Sequence, residues 1–275
     1  MKLPSLTGLA GSLRVKLEGE SVWTNRWKNR AELNFWREEI KKYVDWYRGR
    51  APLYGFPCPS EPQKVKSECG MPIDAIETWL RCFQMPKYVG DLQLTADSFR
   101  GMRVLDVGCG PFPNLCAFNH CFRIGIDPLV HEYQEAGFPL DVWSRDCTYY
   151  QCRAEAIPFP VHSFGAVISV NVVDHVDDFA ETAKEIRRVL RPQGVFRMHV
   201  HYHGKTVCEP IELNDEVFLL HYSWVPGLRK IHEGDTKDLG GTKARPGERY
   251  VVWGNTIPTG EPTRRREFTT TKTGD

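Results

Sequence analysis

A doubly wound, mostly parallel α/β sheet is the fold this sequence predicts, and two observations carry that reading. The first is residues 103–113, RVLDVGCGPFP, where a short apolar run of Val104, Leu105 and Val107 breaks into glycines. Continuous apolar runs are how strands buried on both faces of a parallel sheet read. The second is the alternation of apolar runs with amphipathic segments from residue 99 onward, the pattern of strands and crossover helices.

Taken in order, residues 1–30 carry few strong signals. Trp23 and Trp27, four apart, can share one helix face. Over residues 31–48 the pattern is helical, with Leu33, Trp36, Ile40, Tyr43, Val44 and Tyr47 at spacings of three and four. Glu38, Glu39, Lys41 and Lys42 fill the other face. This helix is expected to dock on the main domain and to cover the edge of its cleft. Residues 51–62, rich in proline and aromatics, read as a connector, and a further helix is predicted over 73–83. The chain therefore divides into a helical appendage, lid and connector (1–98), a main α/β domain (99–255) and a polar tail, expected to be disordered (256–275).

Within the main domain the glycines mark the site. Gly108 and Gly110 lack Cβ, so the backbone there can take positive φ and approach a ligand closely. Residues 114–118 read as the first turn of a helix. Strand, glycine turn and helix start together make a nucleotide-sized site at the carboxyl end of a sheet. Asp106 is the last charged residue before the glycines, and it should face whatever sits on the turn. Pro113 stands where a dinucleotide fingerprint has its third glycine, which counts against a pyrophosphate. The next strand, 122–126, ends at Asp127, 17 residues past Gly110. A carboxylate there has two acceptor oxygens for the two hydroxyls of a ribose.

The remaining elements keep the same alternation. A short helix over 131–136 stops at Gly137, and a third strand covers 149–153. A fourth, 165–173, runs into Asn171 and His175. A helix over 178–190 buries Phe179, Ala183, Ile186 and Leu190, with Asp177 or Asp178 as its N-cap. The stop signal RPQG at 191–194 precedes a fifth strand over 195–201. Residues 229–232 and 249–253 read as two further strands joined by a glycine-rich loop.

Composition narrows the function. A net charge of +1 gives no overall field toward nucleic acid or anionic membrane. The nine cysteines form no C-x-x-C pair, so neither a zinc ribbon nor a redox motif is indicated. Their odd number fits a reducing, cytoplasmic setting better than a disulfide framework. No apolar run is long enough to span a bilayer.

In series, Asp106-x-Gly108-x-Gly110, Asp127, the run AEAIPF at 154–159, residues 171–175 and a helix ended by RPQG before a strand resemble the class I S-adenosylmethionine-dependent methyltransferases. The resemblance covers about residues 102–198 and is nearest to the branch that methylates small molecules. It implies a seven-stranded sheet with an antiparallel last strand, S-adenosylmethionine as cofactor and a small-molecule acceptor. It also implies that Gly108 and Gly110 wrap the methionine part, with Asp106 facing its amino group. Asp127 then holds the ribose, and Ala154, Glu155 and Leu129 lie about the adenine. Asn171 comes near the reactive sulfonium. Arg153 departs from the pattern, because an acidic residue is frequent there, and Phe112 stands where a third glycine is frequent. Three other readings remain: a macromolecular acceptor, a nicotinamide-dependent oxidoreductase and an inactive cofactor-binding module. No Asn-Pro-Pro-aromatic motif of amino-methylating DNA enzymes comes after the fourth strand.

Methyl transfer is an in-line displacement in which orientation supplies much of the acceleration. A hydroxyl or protonated amine acceptor also needs a base, and histidine suits neutral pH. The candidates are His175 after the fourth strand, and His199, His201 and His203 on one face at the end of the fifth. Residues two apart on a straight strand lie about 6.6–7 Å apart. All three imidazoles would therefore reach one ion only if the strand bent; Glu209 could add a ligand, but no metal site is expected.

Overall fold

The structure, a computed structural model, describes residues 7–53, 58, 80–138, 140, 147–206, 208–237, 242–243 and 246–257. Its strands are β1 (Arg103–Val107), β2 (Phe122–Asp127), β3 (Cys147–Gln151), β4 (Phe164–Val170), β5 (Leu190–Tyr202), β6 (Arg229–Gly234), β7 (Thr236–Lys237), β8 (Thr242–Lys243) and β9 (Arg249–Gly254). Seven form one sheet in the order β3-β2-β1-β4-β5-β9-β6, and β7 and β8 pair separately. Strands β1 to β5 pair in parallel. The last strand, β9, slots antiparallel between β5 and β6. The predicted mostly parallel, seven-stranded sheet with an antiparallel last strand is the observed one.

The helices are α1 (Thr7–Tyr47), α2 (Met85–Asp91), α3 (Val130–Glu135), α4 (Phe179–Val189) and α5 (Asp215–Tyr222). One face of the sheet, with Val167, Phe196, Met198 and Val200, packs against Phe179 and Ile186 of α4 and Phe218 and Tyr222 of α5. The other, with Val104, Ala166, Ile168 and Val195, packs against Tyr88, Leu92, Phe99 and Phe118. Both faces are thus covered, as a parallel sheet requires. In a third cluster Ile40, Tyr43 and Tyr47 of α1 meet Leu129, Val130, Tyr133 and Phe138 around α3.

Several boundaries differ from the expectation. Helix α1 starts at Thr7, not near residue 31, because no proline interrupts residues 5–51. The side chains of residues 7–26, Trp23 among them, lie outside the described set, and Trp27 is exposed. Of the helix predicted over 73–83, residues 73–79 also lie outside it. A π-helical turn, Leu80–Gln84, leads instead into α2. Asn114–Ala117 is a single 3-10 turn, so no α-helix comes after the glycines. The turn stops at Phe118, which is extended (φ −105°, ψ 129°) and buries its ring against Phe99. Strand β3 ends at Gln151 and β4 at Val170, which leaves residues 152–155 and 171–175 in loops. Asp178, not Asp177, caps α4, its Oδ1 accepting the Glu181 amide at 2.9 Å. Most of the tail, residues 258–275, is outside the described set. Among the described residues, no helix is long and apolar enough to cross a membrane.

Asn255 ties β5 to the chain beyond β9. Its Oδ1 accepts the Phe196 amide at 2.9 Å and its Nδ2 donates to the Gly194 carbonyl at 2.8 Å. The Asn255 carbonyl also accepts from the buried Arg197 guanidinium. Asn255→Ala orphans two buried backbone groups. It should lower the unfolding free energy in a urea titration by about 1–3 kcal/mol.

Candidate functional site

From β1 the chain steps outward to β2 and β3, then returns to build β4 and β5 on the other side. That reversal opens a crevice at the carboxyl ends of β1 and β4. A cavity of about 1270 Å³ lies there. Ligand pockets run to about 300–1,000 Å³, so this one has room for a nucleoside-sized molecule and a second ligand beside it.

Its floor is the turn after β1. Gly108 (φ +73°) and Gly110 (φ +64°) are both left-handed. A Cβ on Gly108 would lie 2.1 Å from Val172 Cγ1, so the turns after β1 and β4 press directly on each other. Asp127, at the tip of β2, accepts the Gly110 amide at 3.1 Å on Oδ2 and the Leu129 amide at 2.9 Å on Oδ1. Each oxygen keeps a lone pair for a further donor. Burial raises this carboxyl to about 7, against the pull of the two amides and with help from Glu32 and Glu132. Asp106 is fully buried and lies beneath the cavity, not in its lining. Burial raises it also to about 7; the Tyr88 hydroxyl alongside opposes this, and the Asp127 charge adds to it. Neither Asp106 oxygen makes a well-formed hydrogen bond among the described residues. Tyr88 and Asn114, which the sequence reading missed, stand between this region and the cavity and line it.

Leu129, Ala154 and Glu155 all line the cavity. Glu155 Oε1 accepts the amides of Asp177 at 2.8 Å and Asp178 at 3.1 Å. Burial works against its charge, but Arg153 and these amides outweigh it and hold the carboxyl below its usual range. Arg153, the departure noted in the sequence, bridges Glu155 and Asp177. Asn171 lies in the lining with a left-handed φ of +56°. Its amide donates to the His199 carbonyl at 2.9 Å, and its buried Oδ1 has no partner among the described residues.

Helix α1 forms the roof. Lys28, Glu32, Phe35 and Trp36 line the cavity from above. The Trp36 indole packs edge-on against Phe112 at 5.6 Å and donates to Glu32 at 2.8 Å. Lys28 donates to the His175 carbonyl and pairs with Asp177 at 3.2 Å.

The far wall carries the histidines. His175 and His201 line the cavity with Glu209 and Tyr250. His199 is absent from the lining; it is buried and stacked on Tyr250 at 5.6 Å. His201 stacks on the same ring at 4.3 Å, with Glu248 Oε2 3.2 Å from its Nε2. His203 lies behind the wall, its Nδ1 donating to the Gly204 carbonyl at 2.6 Å and its Nε2 3.1 Å from Asp174 Oδ2. The Asp174 hydrogen bond raises His203 to about 9, against burial and with help from the Gly204 carbonyl and Glu209. His175 Nε2 faces Glu209 Oε1 at 3.7 Å. Asp174 and Glu248 were not anticipated; the first sits two residues past Val172 in a run read only for its asparagine and histidine.

Residues 105–198 match a protein family described as a methyltransferase domain. A sterol 24-C-methyltransferase of Gibberella zeae is 34% identical over 106 residues, covering 36% of this chain and 27% of its own length. An uncharacterized methyltransferase of Bacillus subtilis is 30% identical over 111 residues, covering 39% of this chain and 44% of its own. The chain thus spans less than half the length of these curated relatives. Among solved structures, the Bacillus subtilis YcgJ protein aligns with a TM-score of 0.46 at 18% identity, over 62% of this chain and 97% of its own. The 1,6-didemethyltoxoflavin-N1-methyltransferase of Burkholderia thailandensis aligns at 0.46 and 16%, over 67% and 83%.

The contact beneath Gly108 is open to test. Gly108→Ala adds a methyl where Val172 already sits and holds it at a strained φ. It should cost about 1–3 kcal/mol of folding stability. Val172→Ala in the same chain should restore part of that loss, because it removes the clash and leaves the strain.

Proposed function

On the premise that residues 105–198 belong to the class I S-adenosylmethionine-dependent methyltransferases, we propose that this protein transfers a methyl group from S-adenosylmethionine to a small-molecule acceptor. The observation that carries the reading is one roofed cavity with two chemically distinct ends. The bound cofactor supplies an electrophilic methyl on a cationic sulfur. At its end of the cavity, the free lone pairs of Asp127 suit ribose hydroxyls. The flat backbone of Gly108 and Gly110 admits the methionine part, and Leu129, Ala154 and Glu155 border the adenine. Asn171 Oδ1, without a partner among the described residues, suits the cofactor's ammonium or a water beside it. Asp106 contributes charge from below.

The acceptor end lies between α1 and the wall of His175, His201, Glu209 and Tyr250. The roof excludes water, which strengthens every polar contact inside. It also favours a small acceptor over a macromolecule, since a helix covers the entrance that a polymer would need. His175 takes the acceptor proton in this reading, with Glu209 facing its ring; His201 orients the acceptor. His199, sealed behind Tyr250, has no part in it. The family match ends at Met198, before most of this wall, so the relatives' acceptors do not transfer to it.

The test is calorimetric titration with S-adenosylhomocysteine. Micromolar or tighter binding is expected, with Asp127→Ala weakening it by about 1–3 kcal/mol. Asp106 and Asp127 both titrate near 7, and a cationic ligand requires them charged. Affinity for S-adenosylmethionine should therefore rise from pH 6 to pH 8, by about tenfold for each carboxylate that must ionise. No binding by the wild-type protein, or tight binding of NAD in its place, overturns the reading.

A further inference from the structure

We propose that Asp174, His201, His203 and Glu209 form a binding site for one first-row divalent cation, zinc or a close relative, in the wall at the acceptor end of the cavity. One potential ligand atom from each of the four lies within 4.8 Å of all the others. Donors around a tetrahedral ion at about 2.0–2.2 Å sit about 3.3–3.6 Å apart. Small side-chain movements therefore close the shell. Two of the separations are already near that range, with His203 Nε2 3.1 Å from Asp174 Oδ2 and 3.8 Å from Glu209 Oε2.

The geometric objection to a strand of histidines is met by the fold. Strand β5 ends at Tyr202, so His203 has left the strand. Its ring comes to 4.5 Å from that of His201, where a straight strand would hold the two residues about 6.6–7 Å apart. His199 stays on the strand and does not join. The other two donors come from the loop after β4 and from the segment after β5.

The groups behind the ligands are those a metal site needs. The His203 Nδ1–H is committed to the Gly204 carbonyl, which leaves Nε2 turned to the cluster. Glu248 holds the Nε2 edge of His201. Independently, Asp174 is fully buried and its Oδ1 has no partner among the described residues. With His203 on Oδ2 alone, the bare Oδ1 of this buried carboxylate has room for a further donor or a cation. Two imidazoles with two carboxylates and no thiolate suit zinc, manganese or ferrous iron better than calcium or magnesium, which prefer oxygen shells.

Two of the four donors, His201 and Glu209, also line the cavity. A cation held there has one side toward the acceptor, and it would bind and acidify an acceptor that presents an oxygen donor. That use rests on the methyl-transfer reading; the site itself does not.

The experiment strips the protein with a chelator. It then titrates zinc(II) by calorimetry and cobalt(II) by its visible absorption, which reports the coordination. One equivalent per chain is expected. Asp174→Asn and Glu209→Gln should each weaken binding about tenfold or more, while His120→Ala, at an exposed imidazole, should not. The partly exposed Glu209 decides the matter if the Asp174 variant fails to fold. Less than about a tenth of an equivalent in the wild type, or equal affinity in all variants, overturns the site. S-adenosylhomocysteine titration of the same proteins separates the two readings. Metal bound without the nucleoside sinks methyl transfer and leaves the site, and the reverse sinks only the site.

Discussion

Negative charge buried at one edge of the sheet is the constraint on which this structure turns. Parallel pairing aligns the carboxyl ends of β1, β2 and β4, and each ends in or near an aspartate: Asp106, Asp127 and Asp174. All three are buried. An uncompensated carboxylate in such a place is costly, so each needs donors or a cation. Asp127 has two backbone amides, and Asp174 has the His203 ring on one oxygen. Asp106 has the Tyr88 hydroxyl alongside and no well-formed hydrogen bond among the described residues. The crevice is therefore built to receive positive charge, and the positions of the shortfall mark where it would go: near the glycine turn and at the far wall.

The roof over this crevice is held mainly by apolar burial. Lys28, Asp177, Arg153 and Glu155 form a chain of ion pairs across the rim, but several of these side chains are well exposed. Exposed pairs contribute about 0–1 kcal/mol each. Ile40, Tyr43 and Tyr47 are buried against α3 and its neighbours, and burial of one such side chain contributes about 1.5–3 kcal/mol. The ion pairs position the middle of α1 at Lys28; the aromatic stripe keeps the helix in place. This helix is part of the core as well as a cover.

The strands and the glycine turn were legible because they rest on local patterns, whereas the antiparallel end of the sheet came only from the family resemblance. Apolar runs, Gly108 and Gly110 at positive φ and the capping Asp178 each act within a few residues. The stripe of α1 was legible from Leu33 onward, but not its start at Thr7, since helix continuation there comes from the absence of a breaker and not from periodicity. Helix α5 escaped notice although Asn214 caps it and two acidic residues open it; its weak amphipathicity hid it. The 3-10 turn after the glycines replaced the expected helix because Phe118 leaves it in an extended conformation to reach the core. Of the grouping of Asp174 with His201, His203 and Glu209, the sequence offered the histidines and Glu209 as conceivable ligands, but neither Asp174 nor the bend that brings them together. The grouping depends on β5 ending at Tyr202 and on where the loop after β4 comes to lie, and neither can be read from spacing.

The antiparallel strand explains why the far wall has the composition it has. A parallel β9 would have delivered its carboxyl end, Trp253 and Gly254, to the crevice. Running antiparallel, it delivers its start instead, and the register sets Tyr250 opposite His201 and Val252 opposite His199. Tyr250 can then stack on both imidazoles, and Glu248, just before the strand, reaches His201. The reversal therefore seals His199 away, holds the His201 ring and places a carboxylate behind it. It does so with residues that lie some fifty positions beyond the family match. In the proposed reading, the cofactor end of the cavity is built by the parallel strands β1 to β4 and their turns. The proposed acceptor end takes the α1 roof and His175 from before Met198 but His201, Glu209 and Tyr250 from beyond it, so that part of the wall can differ from any relative's without disturbing the turn after β1.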